Sequence, residues 1–341
     1  MDNNFLCFGS SLSSENKLQL INSNSIVSID SFGQLKQPWI LKDIDTRTFS
    51  KLTYGNYSLA LAVSSSGETI DTINNSNRFL NLKLNIAKYI EGIGSIVSDI
   101  EIPSKNLKIS NIYTLNSEES FIKVATSISN IGNQDISNVR LWVGASDDWI
   151  GSSDYTKKTR GNLSNGVFNS TNADAYNAIK IEEPSSDATH LSVLLFSMSN
   201  NVNSIIGSHY GFNYVTLDPS ASAVNTNSSD SSYALFSNFG TLTAGNKKSI
   251  NWYYAAAGSV SQINAVIEAV QSAALSDGTI RWIGPTEGSW FTPANWNTGI
   301  LPNGVNVVIP DGKTVKFDSD SNVSINSCLL YTSDAADDTP C

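Results

Sequence analysis

Along most of the chain apolar and polar residues alternate one for one, the period of a strand buried on one face. In "SFIKVATSISN" residues Ile122, Val124, Thr126 and Ile128 share a face, with Lys123, Ala125, Ser127 and Ser129 opposite. In "NVRLWVGAS" the alternating set is Val139, Leu141 and Val143, against Arg140 and Trp142. A Gly/Asn/Asp turn cluster, "NIGNQDIS", lies between them and predicts an antiparallel hairpin. "HLSVLLFSMS", His190 to Ser199, is apolar almost throughout, as expected of a central strand covered on both faces. "SYALFSNFGTLTAGNKKSINWYYAAAG" reads as strand, glycine turn, strand; Ile250, Trp252 and Tyr254 face one way, Asn251 and Tyr253 the other. One segment breaks the period. Over residues 261–275 the apolar positions are Ile263, Val266, Ile267, Val270 and Ala274, which is helical spacing. Ser259 or Ser261 can cap its start and "SDG" at Ser276 to Gly278 ends it, so a domain boundary is expected near residue 277.

These elements predict an all-β fold: a large antiparallel β-sandwich over residues 1–277, closed by one C-terminal helix. Composition changes the picture in one respect. Apolar residues make up 40% and charged residues only 15% of the 341, so polarity comes from Ser, Asn, Thr and Gly. That balance suits secreted β-rich proteins better than cytosolic enzymes. A net charge of −10 without a cluster of Lys and Arg excludes a nucleic-acid partner, which needs clustered cations. No apolar run approaches the ~18–20 residues of a membrane span.

The N-terminal "MDNNFLCFGSSLSSENK" lacks the basic region and the apolar run of a secretory signal, and the natural start is expected upstream. At the other end, "CLLYTSDAADDTPC" (Cys328 to Cys341) resembles the translated read-through of a sequencing adapter, so residues 328–341 are expected not to be natural sequence. Without them only Cys7 remains, which leaves no disulfide framework and no cysteine metal site.

Three of the seven tryptophans fall within "RWIGPTEGSWFTPANWNTGILPNGVNVVIPDG". Trp282, Gly284, Trp290, Asn295, Trp296, Gly299, Pro302, Val308, Ile309, Pro310 and Gly312 form a W-x-G, W, NW-x-x-G-x-x-P, V-x-I-P-x-G pattern. The segment closely resembles a module of large adhesin-like proteins secreted by Gram-negative bacteria. The resemblance implies the start of a right-handed parallel β-solenoid over residues 278–327, and export to the cell surface. "NVVIPDGKTVKFDSDSNVSINS" fits a first rung independently, as short strands between Gly and Asp turns. In such a stack the indoles would cap an apolar open end. The competing reading stands Trp290 and Trp296 on a sugar platform with Asn295, Asn297 and Thr292 as polar neighbours. Aromatics at strand spacing favour the core. The segments "NVRLWVGASDDWIGSSDYTKKTRGN", "SYALFSNFGTL" and "INWYYAAAG" resemble a β-sandwich module of the same proteins, for which no activity, and so no catalytic residue, is implied.

The densest polar constellation is "ASDDWIGSSDYTKKTRGN", with Asp147, Asp148, Trp149, Asp154, Tyr155, Lys157, Lys158 and Arg160. Oxygen-rich loops of this kind take Ca²⁺, and Asp147, Asp148 and Asp154 are the candidate ligands. Carboxylates beside an indole also suit a sugar, or glycoside hydrolysis. The plain reading is a solvated loop with Arg160 paired to an aspartate. "DSDSN" at Asp318 begins like an EF-hand loop but has Val323 at the glycine position and Leu329 at the glutamate position, and it is rejected. His190 and His209 lack metal or triad spacing, and G-x-S-x-G, H-E-x-x-H, the P-loop and G-x-G-x-x-G are absent. No catalytic residue is assigned. The resulting expectation is a non-catalytic extracellular or cell-surface module that presents β surfaces to glycans or surface proteins, with no cofactor beyond candidate calcium. The alternative is a carbohydrate-active lyase or hydrolase working through Asp147, Asp148, Asp154, Trp149 and Tyr155.

Overall fold

In a computed structural model of the chain, the described residues are 18–22, 24–43, 48–53, 58–65, 71–72, 83–85, 93–116, 119–164, 166–170, 176–184, 191–199, 201–207, 226–258, 260–276, 279–296, 301–302, 306–310, 312–319, 323, 325 and 327–330. His190, His209, Asn297 and Gly299 lie outside them. The chain divides into two compact units, Met1–Val270 and Gln271–Cys341.

The first unit opens with β1 (Leu18–Ile21), β2 (Ser25–Ile29), β3 (Trp39–Asp43) and β4 (Thr48–Lys51), an antiparallel sheet in chain order. Next come β5 (Ala60–Ser64), β6 (Asp71–Thr72), β7 (Lys83–Asn85), β8 (Ile93–Ile102), β9 (Leu107–Asn116) and β10 (Phe121–Asn130). They are followed by β11 (Ile136–Ala145), β12 (Lys157–Ser164), β13 (Val167–Asn169), β14 (Ala178–Glu182) and β15 (Ser192–Phe196). The last strands of the unit are β16 (Val202–Gly207), β17 (Thr226–Asn227), β18 (Ser232–Leu242) and β19 (Lys247–Ala257).

Two antiparallel sheets dominate. One runs β13-β12-β14-β15-β19-β10-β9-β8-β7, with β17 also paired to β12; the other runs β16-β18-β11-β5-β6. Alternate residues of both meet in one core. Tyr113, Val124, Ile128, Trp252 and Tyr254 come from the larger sheet, and Val63, Leu141, Val143, Leu235 and Phe239 from the smaller. This is the two-layer packing that period-two alternation predicts. β15 is buried at all five positions, as its continuous apolar run requires. Thr126 keeps its place in an apolar stripe because it is hydrogen-bonded: Trp252 Nε1 donates to its hydroxyl at 2.9 Å, and the hydroxyl donates to Asn111 Oδ1 at 2.7 Å.

The expected hairpin between β10 and β11 does not form. β10 pairs with β9 and β19, whereas β11 pairs with β5 and β18 in the other sheet. The intervening turn is an arch that carries the chain between layers. The connection from β18 to β19 behaves in the same way. Each ten-residue strand then buries its apolar face against the opposite layer, a gain that a hairpin lying in one sheet would forgo.

The helix α1 (Val260–Ser276) follows, with Ile263, Val266, Ile267, Val270 and Ala274 buried as the spacing predicts. Gln262 Oε1 reaches back to accept the Gly258 N–H at 3.0 Å, satisfying a donor at the helix start. No helix among the described residues is long and apolar enough to cross a membrane.

The second unit is built differently. β20 (Thr279–Arg281), β22 (Asn306–Ile309) and β24 (Ser327–Leu330) pair in parallel, and so do β21 (Glu287–Ser289) and β23 (Thr314–Lys316). Thr279 pairs with Asn306 and Glu287 with Thr314, the same 27-residue step for both. The adapter-like segment begins inside β24, whose Cys328 is in register with Val307.

The tryptophans fill this unit. Trp282, Trp290 and Trp296 are each 1% exposed and cluster with Ile280, Val307 and Ile309. Trp296 stands edge-on to Trp282 at 5.1 Å and to Trp290 at 4.6 Å. Their N–H groups are tied down as well, Trp282 to the Pro285 carbonyl and Trp296 to the Trp290 carbonyl. The motif's Gly284 is required by proximity: a Cβ there would come within 2.7 Å of the Asn295 side chain. The Asn295 carbonyl accepts from the Ile283 and Gly284 amides, joining W-x-G to NW.

Candidate functional site

The acidic loop, residues 146–156, carries the chain from β11 in the smaller sheet to β12 in the larger one. Residues 228–231 make the reverse passage, from β17 to β18. The two crossovers meet. The Ser231 N–H donates to Asp148 Oδ1 at 3.2 Å, and Lys158 Nζ donates to the Ser229 carbonyl at 2.9 Å.

The loop is held at several points along its length. Ile150 is buried in the main core and bridges to Ser153. Gly151 donates its N–H to the Leu52 carbonyl at 2.8 Å. Its φ of +61°, and the Glu183 carboxylate within 2.6 Å of any Cβ, together require glycine. Glu183 in turn accepts from both the N–H and the hydroxyl of Ser152. The Trp149 indole N–H is bound to the Gly151 carbonyl, and its backbone N–H to Asp147 Oδ1. Tyr155, by contrast, is 63% exposed.

The loop brings the three predicted carboxylates together. Asp147, Asp148 and Asp154 present oxygens all within 4.8 Å of one another. Asp148 is sealed from solvent and ion-paired with Lys158, whose side chain is equally sealed. Lys158 also donates to the Thr156 carbonyl at 2.7 Å, so its ammonium is fully coordinated. Asp148 Oδ2 accepts the Thr156 hydroxyl besides. Asp154 Oδ1 is sealed from solvent with no donor. Burial raises the carboxyl of Asp154 above the usual carboxylate range, and Asp147, Asp230 and Asp148 add to the shift by like-charge repulsion. Beneath the loop, Tyr233 of β18 accepts from Gln37 Nε2 at 3.2 Å, and burial pushes its phenol up.

Several expectations change on this geometry. Arg160, expected to pair with an aspartate, lies over the Tyr176 ring at 5.1 Å, with its Nε 3.4 Å from Ser204 Oγ. The three carboxylates keep the close grouping expected of candidate calcium ligands, while both oxygens of Asp148 also accept protein donors. Calcium would need carbonyl or water oxygens besides these carboxylates, and Lys158 already balances the charge of Asp148. Trp290 and Trp296 leave the candidate site because their rings are enclosed in the aromatic cluster. The glycosidase alternative would draw on the same carboxylates. Of these carboxylates Asp148 is locked to Lys158 in a sealed ion pair, which takes it out of the proton exchange such a pair performs. Sequence reasoning missed Asp230 and Ser231, which lie more than eighty residues from Asp148 and have no local signal.

No protein-family profile matches the chain, and no curated protein matches it in sequence. Solved structures superpose on it only loosely. The GH36 alpha-galactosidase AgaB from Geobacillus stearothermophilus is 13% identical, over 72% of this chain and 40% of that one, with a TM-score of 0.43. The alpha-galactosidase from Lactobacillus brevis is 9% identical, over 87% and 49%, at 0.42. A protein in the glycosyl hydrolase family 38 from Enterococcus faecalis is 14% identical, over 78% and 33%, at 0.44. The chain thus spans less than half the length of each. At this identity and superposition the likeness bears on neither activity nor ligand.

Proposed function

We propose that this chain is a non-catalytic segment of an adhesin-like protein displayed on a bacterial cell surface. In this reading the antiparallel unit presents glycan- or protein-binding surfaces, and the tryptophan-rich unit opens a right-handed parallel β-solenoid. The observation that carries it is the common 27-residue step by which β20 pairs with β22 and β21 with β23. Two strands per coil, each stacked on its counterpart one turn later, are the repeat of a solenoid. The enclosed indoles of Trp282, Trp290 and Trp296 serve as its apolar plug. The acidic loop supports the non-catalytic reading, because its central carboxylate is held by a buried lysine. Exposed Tyr155 and half-buried Trp149 make the rim of that loop the surface that meets a saccharide.

The test incubates the purified chain with immobilised bacterial and host polysaccharides and follows retention and newly formed ends together. Retention without release of product is expected. Release of oligosaccharides would establish the carbohydrate-active alternative and overturn the proposal.

A further inference from the structure

The sealed pair at the centre of the acidic loop is also a pair of reactants. Asp148 follows β11, Lys158 lies in β12, and both side chains are wholly enclosed. Their hydrogen bonds are arranged about one carbon, Cγ of Asp148. Oδ1 accepts the Ser231 N–H at 3.2 Å, while Oδ2 accepts both the Thr156 hydroxyl and Lys158 Nζ. The ammonium's other two N–H groups are directed at the Thr156 carbonyl, at 2.7 Å, and the Ser229 carbonyl, at 2.9 Å.

An ammonium has three donors and no lone pair. When the donor facing Asp148 passes its proton to Oδ2, the neutral amine keeps both carbonyl bonds and turns its lone pair towards the carboxyl group. Enclosure favours that transfer, because it removes two opposite charges from a site closed to solvent. A desolvated lysine amine is a nucleophile, and here the fold holds it beside its target. The Ser231 N–H stands where negative charge gathers on Oδ1 as an amine adds to Cγ. Asp154 presents a carboxyl oxygen within 4.8 Å of an Asp148 oxygen, and its Oδ1 is sealed and has no donor.

We propose that Lys158 and Asp148 condense to an intramolecular amide that staples the crossover between β11 and β12. Nζ forms a bond to Cγ, and the Cγ–Oδ2 bond breaks. Of the three ammonium protons one stays on the amide nitrogen and two leave with Oδ2 as water. Nothing is oxidised or reduced, and no co-reactant is needed. Asp154 relays the second departing proton from the nitrogen to the leaving oxygen. Oδ1 keeps the Ser231 N–H as an amide carbonyl, and the amide N–H donates to one of the two carbonyls that held the ammonium. Two buried charges are thereby replaced by one neutral group, which lifts the cost of keeping them out of water. The ion pair is the unreacted form, and its energetics are those of the chain before condensation. The chemistry does not depend on the surface-protein reading.

The test is the mass of the full chain, incubated folded at neutral pH and then denatured. The parent is expected to be lighter than its sequence by one water. Trypsin does not cleave after an acylated lysine, so digestion should give residues 141–157 joined to 158–160 as one branched peptide. Tandem fragmentation should place the link between Asp148 and Lys158. Asp148→Asn should reach the same branched peptide, releasing ammonia in place of water. Lys158→Arg should show its full sequence mass whether or not it folds, since a guanidinium is not a nucleophile at this pH. Asp154→Asn keeps the pair but lacks the relay, and should slow the appearance of the linked form by roughly a hundredfold. A parent chain at full sequence mass after prolonged incubation, or a water lost at any other position, would overturn the proposal. Linking in Asp154→Asn as fast as in the parent would overturn the role given to Asp154.

Discussion

Replacing Lys158 with Met leaves the Asp148 carboxylate buried and without its counter-charge. Both side chains of the pair are fully enclosed, so solvent cannot take over the role of the lost ammonium. The neighbours make matters worse, because Asp147 and Asp154 present oxygens within 4.8 Å of it. Breaking a buried pair from one side destabilises by about 3–5 kcal/mol. The Thr156 and Ser229 carbonyls, which also accept from Lys158, are left without that donor, and this places the expected loss near the upper end. For a unit of this size about 2–4 °C accompanies each kcal/mol, so the midpoint should fall by roughly 6–20 °C. Thermal unfolding at neutral pH, followed by far-ultraviolet circular dichroism, measures the fall, and urea unfolding measures the free-energy loss. Asp148→Asn in the same background removes the stranded charge and should restore most of the loss, giving a coupling energy of several kcal/mol in the double-mutant cycle. A loss below about 1 kcal/mol for Lys158→Met would refute the reasoning, since that is the size of an exposed pair. Strict additivity of the two substitutions would refute it as well.

Trp296→Ala should destabilise the second unit by about 3–5 kcal/mol, because it empties the centre of the aromatic cluster; acrylamide quenching of the remaining indoles should rise with it. Asp154 has a carboxyl raised above its unfolded value, so its favourable contribution is present at low pH and is lost as pH climbs through the raised value. Asp154→Asn is therefore expected to raise the unfolding midpoint at pH 7 and to leave it nearly unchanged near pH 3; a larger gain in acid would contradict this. Gly151→Ala puts a Cβ against the Glu183 carboxylate at positive φ, and should destabilise by at least about 1 kcal/mol. Glu183→Ala in the same chain should recover only the steric part, as thermal unfolding would show.

Local alternation determined much of this protein from sequence alone. It set which faces of β10, β11 and β19 turn inward, the all-round burial of β15, and the span and buried face of α1. Glycine and asparagine in the W-x-G…NW pattern likewise specified a tight local structure, because Gly284 leaves room for nothing but Asn295. What alternation cannot carry is the choice of partner. β10 and β11 have the pattern and turn of a hairpin, yet they enter different sheets, because hydrogen-bond pairing is decided by strands far away in the chain. The acidic loop shows the same division. Its carboxylates were legible as a cluster, but their state was decided by Lys158, which is buried only because β12 joins the larger sheet, and by Ser231, which arrives from the opposite crossover. Arg140 was correctly placed on the outward face, where a charged residue is ordinarily solvated. Only the tertiary structure enclosed it, laying the guanidinium over the Trp142 ring.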